Sequence, residues 1–120
     1  MTKSVFDELT QATKGLLYIS ETDAELTPIT FAAGAIDAKL VRKVAGVKAS
    51  TRVEESSLDE FFRVVPAEDK AKFAKLAVVL KRLDGIKVFK VGDEPEKQLF
   101  VVGKDEEGAL VGLHTIVVET

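Results

Sequence analysis

The sequence predicts one α/β domain of the α+β kind over residues 1–120, a three-layer α/β/α sandwich around a mixed, largely antiparallel sheet. Four helical patterns precede three consecutive strand patterns, an order typical of this class. The loops between the last three strands are short, which favours antiparallel hairpins. The final strand is apolar on both faces, as in a sheet covered by helices on both sides. The chain is long enough to bury roughly two-thirds of its unfolded surface as one domain.

The first quarter of the chain predicts a helix, an ambiguous apolar segment, a loop and a strand. Ser4 can cap the helix and Gly15 suits its left-handed end. The apolar run 16–19 fits either a buried strand or the tail of a helix. Residues 20–25 are polar or small, three of them acidic, and predict a loop. The segment 27–31 resumes as a strand, and Pro28 is acceptable at the start of a strand or in an edge strand.

The middle of the chain predicts three helices and one strand. Apolar residues at helical spacing over 36–47 predict a helix, and the alternation over 47–54 predicts a half-exposed strand. A capping-box pattern, Ser57-Leu58-Asp59-Glu60, introduces a short helix. The longest helix starts near Pro66, carries a continuous apolar stripe and is expected to end at Gly85.

The last third predicts strands over 86–91, 98–102 and 109–119. In the final strand Leu113 and Val117 are expected to face one side of the sheet, while Ile116 and Val118 face the other. The strand pattern continues almost to the last residue, so the terminal carboxylate and the Thr120 hydroxyl are expected at the edge of a rigid sheet.

The composition excludes several classes of function. The chain has no cysteine, which rules out disulfides and thiol chemistry, and its net charge of −3 argues against nucleic-acid binding. No signal peptide or membrane span is expected, so we predict a cytoplasmic protein that does not bind membranes. His114, the only histidine, lies in an apolar strand and is expected to be structural. We therefore predict no enzymatic activity, no cofactor and no metal site of its own.

Acidic groups supply the candidate binding residues. Glu21 directly follows a buried apolar run, with Thr22 and Asp23 after it, and Glu119 precedes the terminal Thr120. A metal ion or an arginine cluster on a partner would recognise an anion that the fold keeps in a fixed position beside a hydroxyl. We assign these five residues to partner binding.

Segments along nearly the whole chain resemble the nuclease A inhibitor family of bacteria. They are, in order, Met1-Thr2-Lys3, Gly15-Leu16-Leu17-Tyr18-Ile19-Ser20-Glu21, Leu58-Asp59-Glu60-Phe61-Phe62, Ala71-Lys72-Phe73-Ala74-Lys75-Leu76, Val101-Val102-Gly103, Gly108-Ala109-Leu110-Val111-Gly112 and Val117-Val118-Glu119-Thr120.

The resemblance implies an α/β/α sandwich that binds a sugar-nonspecific ββα-metal endonuclease one-to-one, as a monomer, and plugs its active site. In the family, a glutamate after the Gly-Leu-Leu segment and the terminal threonine reach the metal and arginine region of the nuclease. Those roles transfer onto Glu21 and Thr120, so that Thr120 is expected to reach the partner's metal.

One departure from the family pattern leaves other functions open. The family carries a longer insertion before the long helix, with an acidic residue beside a tryptophan, whereas the link here is the short segment 63–69 and the chain has no tryptophan. The alternative function is therefore a protein–protein adaptor on the same fold with a different partner. A hydrolase would have to use His114 with nearby carboxylates, which is the least favoured reading.

Overall fold

The computed structural model describes residues 4–20, 22–93 and 95–118. Its strands form two antiparallel sheets. Their bounds are β1 (Leu17–Ile19), β2 (Asp23–Glu25), β3 (Thr27–Phe31), β4 (Val53–Ser56), β5 (Asp84–Val91), β6 (Glu96–Lys104) and β7 (Leu110–Val118). The first two strands pair as a small hairpin. The other five form one sheet in the order β3-β7-β6-β5-β4, with every described pairing antiparallel. The α+β class and the largely antiparallel sheet are thus confirmed.

Four helices accompany the strands: α1 (Val5–Thr13), α2 (Ala38–Ala45), α3 (Leu58–Arg63) and α4 (Lys70–Leu80), the last preceded by a 3-10 turn at Ala67–Asp69. Within the described ranges, no helix is long and apolar enough to cross a membrane.

Polar side chains start three of these helices. The Ser4 hydroxyl accepts a hydrogen bond from the backbone N–H of Asp7 at 3.1 Å, and the Ser57 hydroxyl accepts one from Glu60 at 3.2 Å. Asp37 does the same for α2. The first two caps confirm the helix starts predicted from the sequence, because the capping residue satisfies a backbone donor that the helix leaves free.

Helical side chains pack against both faces of the five-stranded sheet. Successive residues of β6 point to opposite faces, and Leu99 and Val101 belong to one apolar cluster while Phe100 and Val102 belong to another. The first cluster includes residues of α1, α3 and α4, and the second includes Val41 of α2. Both faces therefore contribute to the core, although Ile116 and Val118, the apolar residues predicted for the second face of the last strand, are only half-buried.

The strand predicted over 47–54 is wrong at its beginning. Residues 48–51 form a turn in which the Thr51 N–H donates to the Lys48 carbonyl at 3.0 Å. The Arg42 Nε–H reaches back from α2 to the Thr51 carbonyl at 2.7 Å, so the segment is bound to the helix rather than to the sheet. The pairing with β5 begins only at Val53.

Gly85 does not end the long helix as predicted. The helix ends at Leu80, and residues 81–83 form tight turns in which the Arg82 N–H donates to the Val79 carbonyl and the Leu83 N–H donates to the Leu80 carbonyl. Gly85 lies inside β5 with a φ of 61°, where the register against β6 shifts. Its left-handed conformation therefore serves a β-bulge rather than a helix end.

Candidate functional site

The β1–β2 hairpin presents two of the predicted binding residues, Thr22 and Asp23, at its tip. Ile19 pairs with Asp23 at the turn of the hairpin. The Ser20 N–H donates to the Thr22 carbonyl at 2.9 Å, which closes the turn. Part of the predicted loop over residues 20–25 is therefore a strand, because the polar segment folds back onto the apolar run before it.

Tyr18 anchors this hairpin to the body of the protein. Its side chain is buried, and its hydroxyl donates to the Phe61 carbonyl of α3 at 2.7 Å. The two rings stack with their centroids 4.6 Å apart and their planes 10° from parallel. Leu17 and Ile19 on either side are exposed. The apolar run 16–19, which fitted either a buried strand or a helix tail, is therefore a strand that buries only Tyr18, with Leu16 buried just before it. The anchor holds the hairpin in one orientation.

Ser20 joins the tip of the hairpin to the end of β7. The pairing of β3 with β7 stops at His114, so residues 115–118 extend beyond that neighbour. There the Ser20 Oγ accepts a hydrogen bond from the backbone N–H of Val118 at 2.9 Å. One hydroxyl therefore connects two segments that are far apart in the sequence.

The structure places two of the five predicted binding residues. Thr22 is half-buried in the turn, and Asp23 is exposed at the start of β2. Glu21, Glu119 and Thr120 lie outside the described residues. The residues next to them in the chain, Ser20 and Val118, are the two joined by the hydrogen bond.

A groove of about 450 Å³ opens beside the Ser20–Val118 contact. Its floor is apolar sheet surface that includes Leu99 and Val117, and Tyr18 lines one side. The groove could not be recognised in the sequence, because its lining comes from the hairpin, α3 and four strands of the sheet.

A buried lysine lies close to the same end of β7. Lys97 is opposite Val117 in the register and only 6% exposed, and its Nζ lies 3.3 Å from the Glu54 Oε1. The hydrogen bond and the charge of Lys97 are the main causes that lower the pKa of Glu54 below 4.5, with Arg52 adding to the effect. The pair connects β4 to β6 across the intervening strand, and it supplies the counter-charge that a buried cation needs.

His114 has the surroundings of a structural residue. Its Nε2 lies 3.1 Å from the amide oxygen of Gln98, and its ring contacts Phe100 with a centroid distance of 4.8 Å. Burial lowers the pKa of His114 below 6.5, which favours the neutral ring. The group that contacts Nε2 is an amide, which is neither a nucleophile nor a general base, so this contact does not form a nucleophile–histidine pair. Over the part of the chain that the structure describes, no cluster of three or more acidic, histidine or cysteine side chains could hold a metal ion.

Comparison with known proteins gives one match. The family model described as nuclease A inhibitor-like protein matches residues 3–120. No curated protein matches the chain significantly.

Proposed function

The chain belongs to the nuclease A inhibitor-like family, and from this premise we propose that it binds a nonspecific metal-dependent endonuclease of DNA and RNA and plugs its active site. Membership implies a role in nuclease inhibition, and the description of the family agrees with a protein that is not an enzyme. The nuclease class, the plugging mechanism and a one-to-one complex with a monomeric inhibitor are parts of the proposal.

The Ser20–Val118 hydrogen bond is the observation that supports this mechanism most strongly. It joins the residue before Glu21 to the residue before Glu119 at 2.9 Å. A carboxylate and a hydroxyl that must enter one active site together need attachment points that are close and rigid. The anchored hairpin and the long strand β7 supply such attachment points, so little conformational freedom has to be lost on binding.

The chemistry of a nuclease active site suits the residues assigned to this edge. Such a site holds phosphate, and a hard divalent cation takes oxygen ligands while arginines take anions. In the proposal the Glu21 carboxylate and the Thr120 hydroxyl occupy those positions of the nuclease and present no bond that can be cleaved. The inhibitor needs no cofactor, because the metal is the partner's.

The charge of the chain favours the encounter. Its net charge is −3, and Asp23 is exposed next to the hairpin tip. A negatively charged edge approaching a positively charged cleft is steered by long-range attraction, which raises the association rate at low salt. An inhibitor that protects its own cell would act in the cytoplasm, where we place it.

The test is titration of a ββα-metal nuclease with the purified protein and a matched pair of variants. Glu21→Gln removes one charge at the tip, while Glu25→Gln removes one from an exposed position of the same hairpin. We expect Glu21→Gln to weaken inhibition by roughly 10- to 100-fold, the range for a lost charge-assisted contact, and Glu25→Gln to inhibit like wild type. Thr120→Val, which removes the hydroxyl and keeps the shape, should also inhibit less.

The outcomes separate the function from its mechanism. A wild-type protein that does not slow cleavage at micromolar excess would contradict the inhibitor function, and binding to a different protein would then support the adaptor alternative. Equal inhibition by wild type, Glu21→Gln and Thr120→Val would keep the function and reject the two contacts. The equivalence point of the titration tests the one-to-one stoichiometry.

A further inference from the structure

The groove beside the Ser20–Val118 contact has an exposed apolar rim that the fold of the chain itself does not use. Ile19 at the end of β1 is 38% exposed, and Val64 just after α3 is 56% exposed. Both line the groove, as do Ser20 and Val118. The apolar surface is therefore continuous with the edge to which the proposed function assigns nuclease binding.

The rim also carries a cation for which the described part of the chain shows no polar partner. Arg63, the last residue of α3, lines the groove and is exposed. The other three arginines each have a polar partner: Arg42 donates to a carbonyl, and Arg52 and Arg82 form ion pairs with Glu54 and Glu8.

Arg63 has no such contact within the described residues. A guanidinium with its donors free is suited to bind a carboxylate through two parallel hydrogen bonds.

We propose that this groove is a second contact for the nuclease and receives an apolar side chain of the nuclease surface that has a carboxylate next to it. The apolar side chain would cover Ile19 and Val64, and the carboxylate would pair with Arg63. This inference rests on the proposed function, since it takes the nuclease as the occupant. It adds a binding region outside the metal-directed tip, where apolar burial supplies affinity that charge alone does not.

The first test compares the same substitution at two exposed valines. Val64→Lys places a charged side chain at the rim of the groove, whereas Val78→Lys places it on α4, at a valine that is 64% exposed and does not line the groove. We expect Val64→Lys to raise the dissociation constant for the nuclease at least tenfold and Val78→Lys to leave it within twofold. Val64→Ala should raise it about fivefold, from the loss of part of two buried methyl groups.

The second test reports on the groove without using inhibition. The chain has no cysteine, so Val64→Cys and Val78→Cys each create a single site for an environment-sensitive fluorophore. Addition of the nuclease should shift the emission of the label at position 64 to the blue and leave the label at position 78 unchanged. Arg63→Gln should weaken binding up to about fivefold, the upper range for an exposed ion pair.

The results distinguish failure of the groove as a nuclease contact from failure of the proposed inhibitor function. If wild type inhibits but Val64→Lys and Val78→Lys inhibit equally well and neither label responds, the groove is not a contact and the proposed function stands. If wild type neither inhibits nor binds the nuclease, the proposed function fails and the groove inference fails with it. If the label at position 64 responds but Arg63→Gln binds like wild type, the partner's carboxylate is excluded.

Discussion

Replacing Ser20 by alanine tests the idea that one hydroxyl holds the two halves of the binding edge together. The substitution removes the acceptor of the Val118 N–H, a hydrogen bond of 2.9 Å at a half-buried position. Such a bond contributes about 1 kcal/mol to the free energy of unfolding. For a domain of this length, with an unfolding entropy of about 0.25 kcal/mol/K, we expect the melting temperature to fall by about 4 °C.

The same substitution should weaken inhibition more than its effect on stability alone explains. Without the bond the hairpin tip and the end of β7 must be ordered again when the nuclease binds. That cost is at most about 1 kcal/mol and corresponds to a dissociation constant about fivefold higher. The measurements are urea unfolding and titration of the nuclease, made on the same preparations.

Ser4→Ala is the matched control, because Ser4 also loses one hydroxyl that accepts a backbone N–H, here at the start of α1. Loss of such a helix cap costs about 1 kcal/mol, so both variants should be destabilised to a similar extent. Only Ser20→Ala should inhibit less well. If the two variants have the same dissociation constant, the Ser20–Val118 bond does not organise the binding edge and our reasoning is refuted.

Two further predictions concern the dependence of stability on pH. The pKa of Glu54 is lowered in the folded protein by Lys97, so its contribution to stability is fully present above about pH 4.5 and is lost as the pH falls through the folded value. Glu54→Gln should destabilise by about 1–2 kcal/mol at pH 7 and flatten the acid limb of the stability curve, and an unchanged acid limb would contradict the role of this pair. The pKa of His114 is lowered by burial, so the unfolded chain takes up a proton near pH 6.5 before the folded protein does, and stability decreases as the pH falls below that value. His114→Asn should remove that decrease in denaturant titrations from pH 7 to pH 5, and an NMR titration that gives His114 a pKa at or above 6.5 would disprove the assignment.

The helix starts and the three long strands followed from local chemistry. Ser4 and Ser57 act as caps because a hydroxyl at that place satisfies a free N–H within the same turn, which requires no information about the rest of the fold. The strand predictions succeeded for a similar reason, since long apolar segments separated by short turns pair with their neighbours. The strand start that was predicted too early, before Val53, shows where local patterns fail as predictors. There the residues alternate as in a strand, but the segment is bound to α2 by the hydrogen bond from Arg42.

The candidate site was predicted only in part. Sequence reasoning directed attention to the segment around Glu21 and to the last residues of the chain, and the binding roles of these residues stay predictions. It did not identify Ser20 as the connection between them, nor Tyr18 as the anchor of the hairpin. The apolar groove and Arg63, which has no polar partner among the residues that the structure describes, were also missed, because each depends on residues from several elements.

The sequence by itself determined the class of the fold, the family and the residue types available for binding, because these depend on periodicity, capping and order along the chain. The tertiary structure alone decided which of those residues lie together. The hydrogen bond between Ser20 and Val118 and the pair of Lys97 with Glu54 both join distant parts of the chain. Such contacts depend on how the sheet aligns its strands and on which side chains remain uncovered afterwards, and both are properties of the packed molecule rather than of any segment within it.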